Sequence, residues 1–129
     1  TIINDSYNAS FESMQASLKY LQGLNSKRKI AVLGDMFELG EYSKKLHEKV
    51  GTEVAKNKID ILVAVGKESK YIIDAASKAG VKQICYCNSN EEVINYLEKI
   101  IQSNDVILFK GSNGMKLGNV VALMKEKLM

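Results

Sequence analysis

A run of four apolar residues, Ile30 to Leu33, constrains this chain more than any other feature. Basic residues stand before it and Gly34 after it, and nothing polar interrupts it. That is the pattern of a strand buried on both faces, and hence of a parallel sheet covered by helices on either side. The full unit is Lys29 to Gly40, Lys-Ile-Ala-Val-Leu-Gly-Asp-Met-Phe-Glu-Leu-Gly. Gly34-Asp35 ends the run, and Asp35 and Glu38 put two carboxylates into the loop before a helical pattern begins near Ser43. In an open parallel sheet, ligands bind in the crevice beyond the carboxyl ends of the strands, so these polar residues are first candidates for chemistry.

The same alternation recurs along the chain. Ile2 and Ile3 open a short strand that stops at Asn4-Asp5, and Phe11, Met14, Leu18 and Leu21 then recur at helical spacing, with Ser10 placed as N-cap. A helix from about Ser43 to Asn57 carries Leu46, Val50 and Val54 on one face; His47, one position from that stripe, is expected half-buried or solvated, with a substrate-site or general-base role as the alternative. Ile61 to Val65 is a second unbroken apolar run, followed by a helix to about Ala79 with Gly80 as a left-handed stop. Gln83 to Cys87 reads as the fourth strand, and Ser89 to Glu92 has capping-box spacing before a helix that buries Val93, Leu97, Ile100 and Ile101. Asp105 to Phe109 is the fifth strand, and the last helix, from near Lys116, turns Val120, Val121 and Met124 inward. Strand and helix alternating five times require an α/β fold: a single Rossmann-like three-layer domain, its mostly parallel sheet of about five or six strands joined by right-handed crossovers, with helices on both faces.

At 129 residues the chain suits one domain able to bury about two thirds of its unfolded surface. Apolar residues make up 46% and charged residues 26%, near the globular average, which excludes a disordered chain or a coiled coil. The net charge of +3 is spread over the helices rather than gathered, so a solvated surface is expected, with no nucleic-acid signature. Cys85 and Cys87 share one side of a strand and read as reduced core thiols; with one histidine on a distant segment, no metal site is expected. Neither a signal peptide nor an apolar run of about 18 residues appears, giving the expectation of a cytoplasmic protein without membrane insertion.

Three segments follow a strand and precede a helix: Asp5 to Ser10, Gly34 to Glu38, and Lys110 to Gly114. All three fall at one end of a parallel sheet and can share a ligand. Asp5 and Asn8 offer a carboxylate and an amide suited to ribose hydroxyls or a base edge. Lys110 offers a positive charge, and Gly111-Ser112 offers amides and a hydroxyl at a helix start, a cradle for an anion. Each segment also has a plainer reading as a turn or helix cap. Gly66-Lys67-Glu68-Ser69 lacks the leading glycine of a phosphate loop and has its serine one place late, and no GxGxxG follows any strand.

The order Asp-Ser-Tyr-Asn-Ala (Asp5 to Ala9), Lys29 to Glu41 with its Gly-Asp-Met-x-Glu-Leu-Gly-Glu run, and Lys-Gly-Ser (Lys110 to Ser112) closely resembles the carboxy-terminal domain of the Mur ligases. The resemblance covers nearly the whole chain, and the central run is that of the members that add a dipeptide. It implies a part in peptidoglycan synthesis, with UDP-N-acetylmuramoyl-tripeptide and D-alanyl-D-alanine as substrates, and ATP and Mg2+ bound mostly by a preceding central domain. By the same resemblance Asp5 and Asn8 face the nucleotide, while Asp35, Glu38, Lys110 and Ser112 line the cleft toward the dipeptide. No catalytic residue and no metal ligand is expected here. Two positions depart from the family: Ser10-Phe11 replaces the usual Asn-Pro, keeping a cap but losing the preset proline, and Asn113 replaces an arginine, removing a rigid anion clamp. The strand at the first residue and the missing phosphate loop imply a fragment of a longer ligase, inactive alone; the alternative is a stand-alone α/β binding or interaction module.

Overall fold

The structure, a computed structural model, describes residues 1–6 and 9–127. Its elements alternate as the apolar runs predict: β1 (Ile2–Asp5), α1 (Phe11–Gly23), β2 (Arg28–Gly34), α2 (Ser43–Lys56), β3 (Ile61–Val65), α3 (Lys70–Lys78), β4 (Gln83–Cys87), α4 (Asn90–Ile100), β5 (Asp105–Lys110) and α5 (Leu117–Lys127). Single 3-10 turns at Gly40–Tyr42 and Asn113–Met115 lead into α2 and α5. Every strand pairing is parallel, and the order across the sheet is β1-β5-β2-β3-β4. The fifth strand extends one residue beyond the expected Phe109 to include Lys110, whose register partner on β1 is Asp5.

Side chains alternate across the sheet, so one face of β2, β3 and β5 presents Ala31, Leu33, Leu62 and Leu108, and the other Ile30, Val32, Ile61, Val63, Ile107 and Phe109. The first set packs under Met14, Leu18 and Leu21 of α1, Val50 and Val54 of α2, and Ile72 and Ala76 of α3. The second is covered by Val93 and Leu97 of α4 and by Leu117, Val120, Val121 and Met124 of α5. Each large apolar side chain so buried contributes roughly 1.5–3 kcal/mol relative to exposure. Ile100 and Ile101, expected inside, are only partly buried at the rim of that second cluster. The N-caps read from sequence are present, Ser10 Oγ accepting the Ser13 amide at 3.1 Å and Ser89 Oγ the Glu92 amide at 3.2 Å, but the box expected at Ser89 does not close, because Glu92 Oε1 accepts the Asn88 amide instead.

His47 departs from expectation. It is fully buried, because the stripe that α2 turns inward includes Ser43, His47 and Gly51 beside the expected Val50 and Val54, while Leu46 is only partly buried against the same cluster. Gly51 lets α2 lie against α3: a Cβ there would stand 2.3 Å from the Ile72 carbonyl oxygen.

The strand order fixes where a ligand can sit. Moving from β1 to β2, β3 and β4, the chain advances across the sheet with α1, α2 and α3 on one face; α4 then carries it back to β5 on the other. The loops after β1 and β2 therefore leave toward one face and the loop after β5, between them, toward the opposite one. Such a reversal opens a crevice at the carboxyl ends of the strands.

Candidate functional site

At that crevice the loops after β2 and β5 are tied to each other by hydrogen bonds, and the end of β1 is joined to that of β5 by the pair Lys110–Asp5. The Ser112 amide donates to the Asp35 carbonyl at 3.0 Å, and the Phe37 amide donates to Ser112 Oγ at 2.8 Å. Close approach of the two backbones depends on glycine: a Cβ on Gly111 would lie 3.1 Å from the Gly34 Cα and 2.9 Å from Leu117 Cδ1. The expected convergence of Asp5, Asp35 and Lys110 on one rim is what the structure has, since β1, β5 and β2 are neighbours.

Asp35 is buried, and its Oδ1 accepts the Glu68 amide at 3.1 Å, the Ser69 amide at 2.8 Å and the Ser69 hydroxyl at 2.7 Å. Ser69 stands at the N-cap of α3 but makes no side-chain cap of its own, so a carboxylate from the loop after β2 satisfies those amides. Gly66 makes room for it: its φ is +117°, and a Cβ would lie 2.5 Å from Asp35 Oδ1. Asp35 thus faces the α3 terminus. Beyond it, Phe37 is 45% exposed, and Glu38 is exposed with a left-handed φ of 62°, a conformation that costs a non-glycine residue energy and is held by its surroundings. The Phe37 ring covers Gly114, whose Cβ would meet it at 2.3 Å.

On the other side of β5, Lys110 Nζ donates to Asp5 Oδ2 at 2.7 Å, and Ser17 Oγ donates to the same oxygen at 2.7 Å. The lysine side chain is 3% exposed and the aspartate side chain 43%. Burial works against the Asp5 charge, but the hydrogen bonds from Lys110 and Ser17 and the lysine's charge outweigh it and hold the carboxyl below its usual range. Lys110, expected to line the cleft toward the dipeptide, lies beneath Asp5 because register pairs the two at the ends of adjacent strands. Asn8 lies outside the described residues. A polar groove of about 530 Å³ lies beside β1, between Asn4 and Ser6 on one side and Asn113, Lys116 and Asn119 on the other. Among the described residues, no group of three or more His, Cys, Asp or Glu is placed to hold a metal ion, and no helix is long and apolar enough to cross a membrane.

Sequence reasoning missed one member of this arrangement. His47 Nε2 accepts the Met36 amide at 3.0 Å, so the proton is on Nδ1, which donates to the Ser43 carbonyl at 2.7 Å. Ser43 Oγ in turn donates to Glu68 Oε1 at 2.7 Å. A signal was present, since Ser43, His47, Val50 and Val54 follow helical spacing as well as the stripe through Leu46 does.

A doubly wound parallel sheet with polar loops meeting at a strand-order reversal defines an α/β ligand-binding domain. The family model for the Mur ligase glutamate ligase domain matches residues 1–113. The chain belongs to that family, as the carboxy-terminal domain of a Mur ligase. It is similar to the UDP-N-acetylmuramoyl-tripeptide–D-alanyl-D-alanine ligase of Bacillus subtilis, with 35% identity over 94% of this chain and 27% of the relative. Among solved structures it resembles MurF ligase from Thermotoga maritima in complex with ADP, at TM-score 0.82 and 30% identity over 98% of this chain and 28% of that one. It also resembles MurF from Acinetobacter baumannii, at TM-score 0.84 and 29% identity over 94% of this chain and 27% of that one. The chain spans about a quarter of the length of the curated relatives it matches.

Proposed function

We propose that this chain serves as the carboxy-terminal domain of a ligase that joins D-alanyl-D-alanine to UDP-N-acetylmuramoyl-tripeptide in peptidoglycan synthesis. The observation that carries the reading is the division of one rim by β5, with the Asp5 carboxylate on one flank and the exposed Phe37–Glu38 tip on the other. Two substrates can then be held side by side against a neighbouring domain. ATP with Mg2+, which that central domain would mainly bind, would supply the phosphoryl group that activates the tripeptide carboxylate and leave as ADP; the dipeptide amine would then displace inorganic phosphate from the activated carboxyl.

The residues of this chain bind, orient and exclude water. Asp5 fits a nucleotide: Lys110 and Ser17 both engage Oδ2, and the half-exposed carboxylate can accept ribose hydroxyls. Asn8 would join it. Lys110 acts through Asp5, keeping it charged and aimed. On the amine side, the Glu38 carboxylate attracts the dipeptide ammonium, and Ser112, whose Oγ already accepts the Phe37 amide, keeps its own proton for the dipeptide carboxylate. Asp35 shapes this side by holding the α3 terminus. Closure of the domain over the central one would shield the activated carboxyl from hydrolysis.

The test is kinetic, in the complete ligase carrying this domain. Glu38→Gln is expected to raise the KM for D-alanyl-D-alanine about tenfold, the effect of one lost charge-assisted contact, with little change for ATP. Asp5→Ala should raise the KM for ATP instead. Unchanged constants in both variants would sink the site assignment; a complete enzyme that forms no UDP-muramoyl-pentapeptide would sink the function.

A further inference from the structure

We propose that His47 is a positioning residue for the amine-side loop: by accepting the Met36 amide, it sets the turn from which Phe37 and Glu38 project. The inference rests on the reading of that loop given above.

Residues 35–37 are held from three directions. The Asp35 carboxylate reaches the α3 terminus, the Asp35 carbonyl and Phe37 amide are taken by Ser112, and the Met36 amide between them goes to His47. Met36 is itself only 2% exposed, so without the imidazole its N–H would be buried with no partner. An apolar residue could fill the volume under the loop but could not meet that amide. The imidazole is kept in the accepting form by its other nitrogen, which gives its proton to the Ser43 carbonyl, while the Ser43 hydroxyl is anchored on Glu68 beyond. One path of bonds thus runs from the loop after β3, through the start of α2, to the loop after β2. A role for His47 in proton transfer conflicts with this geometry: the ring is 0% exposed, and the nitrogen that could act as a base is occupied by a backbone amide. What remains is control of where the tip points. Rotation about the freed Met36 peptide would move Glu38, which already sits at a left-handed φ of 62°.

Two measurements decide the matter. In this chain labelled with 15N, a scalar coupling across the hydrogen bond between the Met36 amide nitrogen and His47 Nε2 is expected; its absence overturns the proposal without any variant having to fold. In the complete ligase, H47Q and H47N separate positioning from packing, because the glutamine oxygen can reach the Met36 amide and the shorter asparagine cannot. H47N should raise the KM for D-alanyl-D-alanine roughly tenfold, the effect of one buried amide left unpaired, and leave that for ATP within about twofold. H47Q should recover most of the loss. Equal losses in the two variants, or parallel changes in both Michaelis constants, would show a core-filling residue and overturn the proposal. If the wild-type ligase adds no D-alanyl-D-alanine, the functional reading fails, and the coupling still tests whether His47 holds the loop.

Discussion

Two ion pairs at opposite ends of β5 illustrate how much a single carboxylate can decide. At the amino end, Arg28 grips Asp105 with two bonds, Nε to Oδ1 at 2.9 Å and Nη2 to Oδ2 at 2.7 Å, and the Gln102 amide adds a third at 2.8 Å. Burial opposes the Asp105 charge, yet the bonds from Arg28 and Gln102 and the guanidinium charge hold its carboxyl below the usual range, as Lys110 and Ser17 do for Asp5. Between the lowered folded values and about 3.9, the value of an unperturbed aspartate, the unfolded chain binds more protons, so acid favours unfolding there. The stability from both pairs is complete above the unfolded value and lost as pH falls through the folded ones. Urea midpoints should therefore decline as pH drops below about 5, and Asp105→Asn should flatten that decline while costing about 3 kcal/mol at neutral pH. At the other end, Asp5→Ala removes the ion pair with the buried Lys110 and should cost about 1 kcal/mol, discounted for the 43% exposure of the aspartate side chain. Lys110→Met removes the charge together with every contact it makes and should cost at least as much; a smaller loss would mean that pairing with Asp5 is the main part of what Lys110 contributes to the fold. Neither partnership was legible in sequence, because Asp5 and Lys110 are 105 positions apart and meet only through the pairing of β1 with β5. Their placement at strand ends was legible, since each closes an apolar run.

Helix α2 shows the limit of pattern reading for a whole element. Its existence follows from spacing, and its length came out to within one residue at the carboxyl end, Lys56 against Asn57. Its inward face came out in part: Val50 and Val54 are buried and Leu46 packs against the same cluster, but the stripe also contains Ser43, His47 and Gly51, three residues that hydropathy places outside. What turns them inward is contact with neighbours: α3 needs a gap in α2 at Gly51, and the loop after β2 needs an acceptor at His47. A pair of substitutions separates propensity from packing. Alanine normally improves a helix by up to about 1 kcal/mol over glycine. Gly23→Ala, in the last turn of α1 with no atom within 4 Å of a new Cβ, should be neutral or stabilising by a few tenths of a kcal/mol. Gly51→Ala should instead destabilise by roughly 1–3 kcal/mol, since the helices must part to admit a methyl. Thermal or urea unfolding of the two variants gives the comparison directly. A Gly51→Ala protein as stable as wild type would show that the contact between α2 and α3 is looser than the distances imply.

At the scale of the whole molecule, the unbroken apolar runs predicted the parallel sheet and its two covered faces, but not the order β1-β5-β2-β3-β4. Order depends on which face each helix covers, and α1 to α3 on one side with α4 and α5 on the other is settled only when all five pack. The same arrangement bears on how the domain works. Strands β2, β3 and β5 supply both apolar clusters from alternate residues, so neither cluster can open without exposing the backbone that supports the other. A domain that closed over a neighbour, as proposed above, would have to move as one body, and a shared central sheet provides that. Native-state hydrogen exchange should show Ala31 to Leu33, Leu62 to Ala64 and Ile107 to Phe109 exchanging only through global unfolding, with the same free energy for residues facing either cluster. Amides of β4, paired on one side only, should open at lower cost. Two separate plateaus, one for residues facing α1 to α3 and another for those facing α4 and α5, would mean that the faces unfold independently. The loops on the shared rim would then have no common frame to hold Asp5 and Glu38 at a fixed separation in the proposed closure.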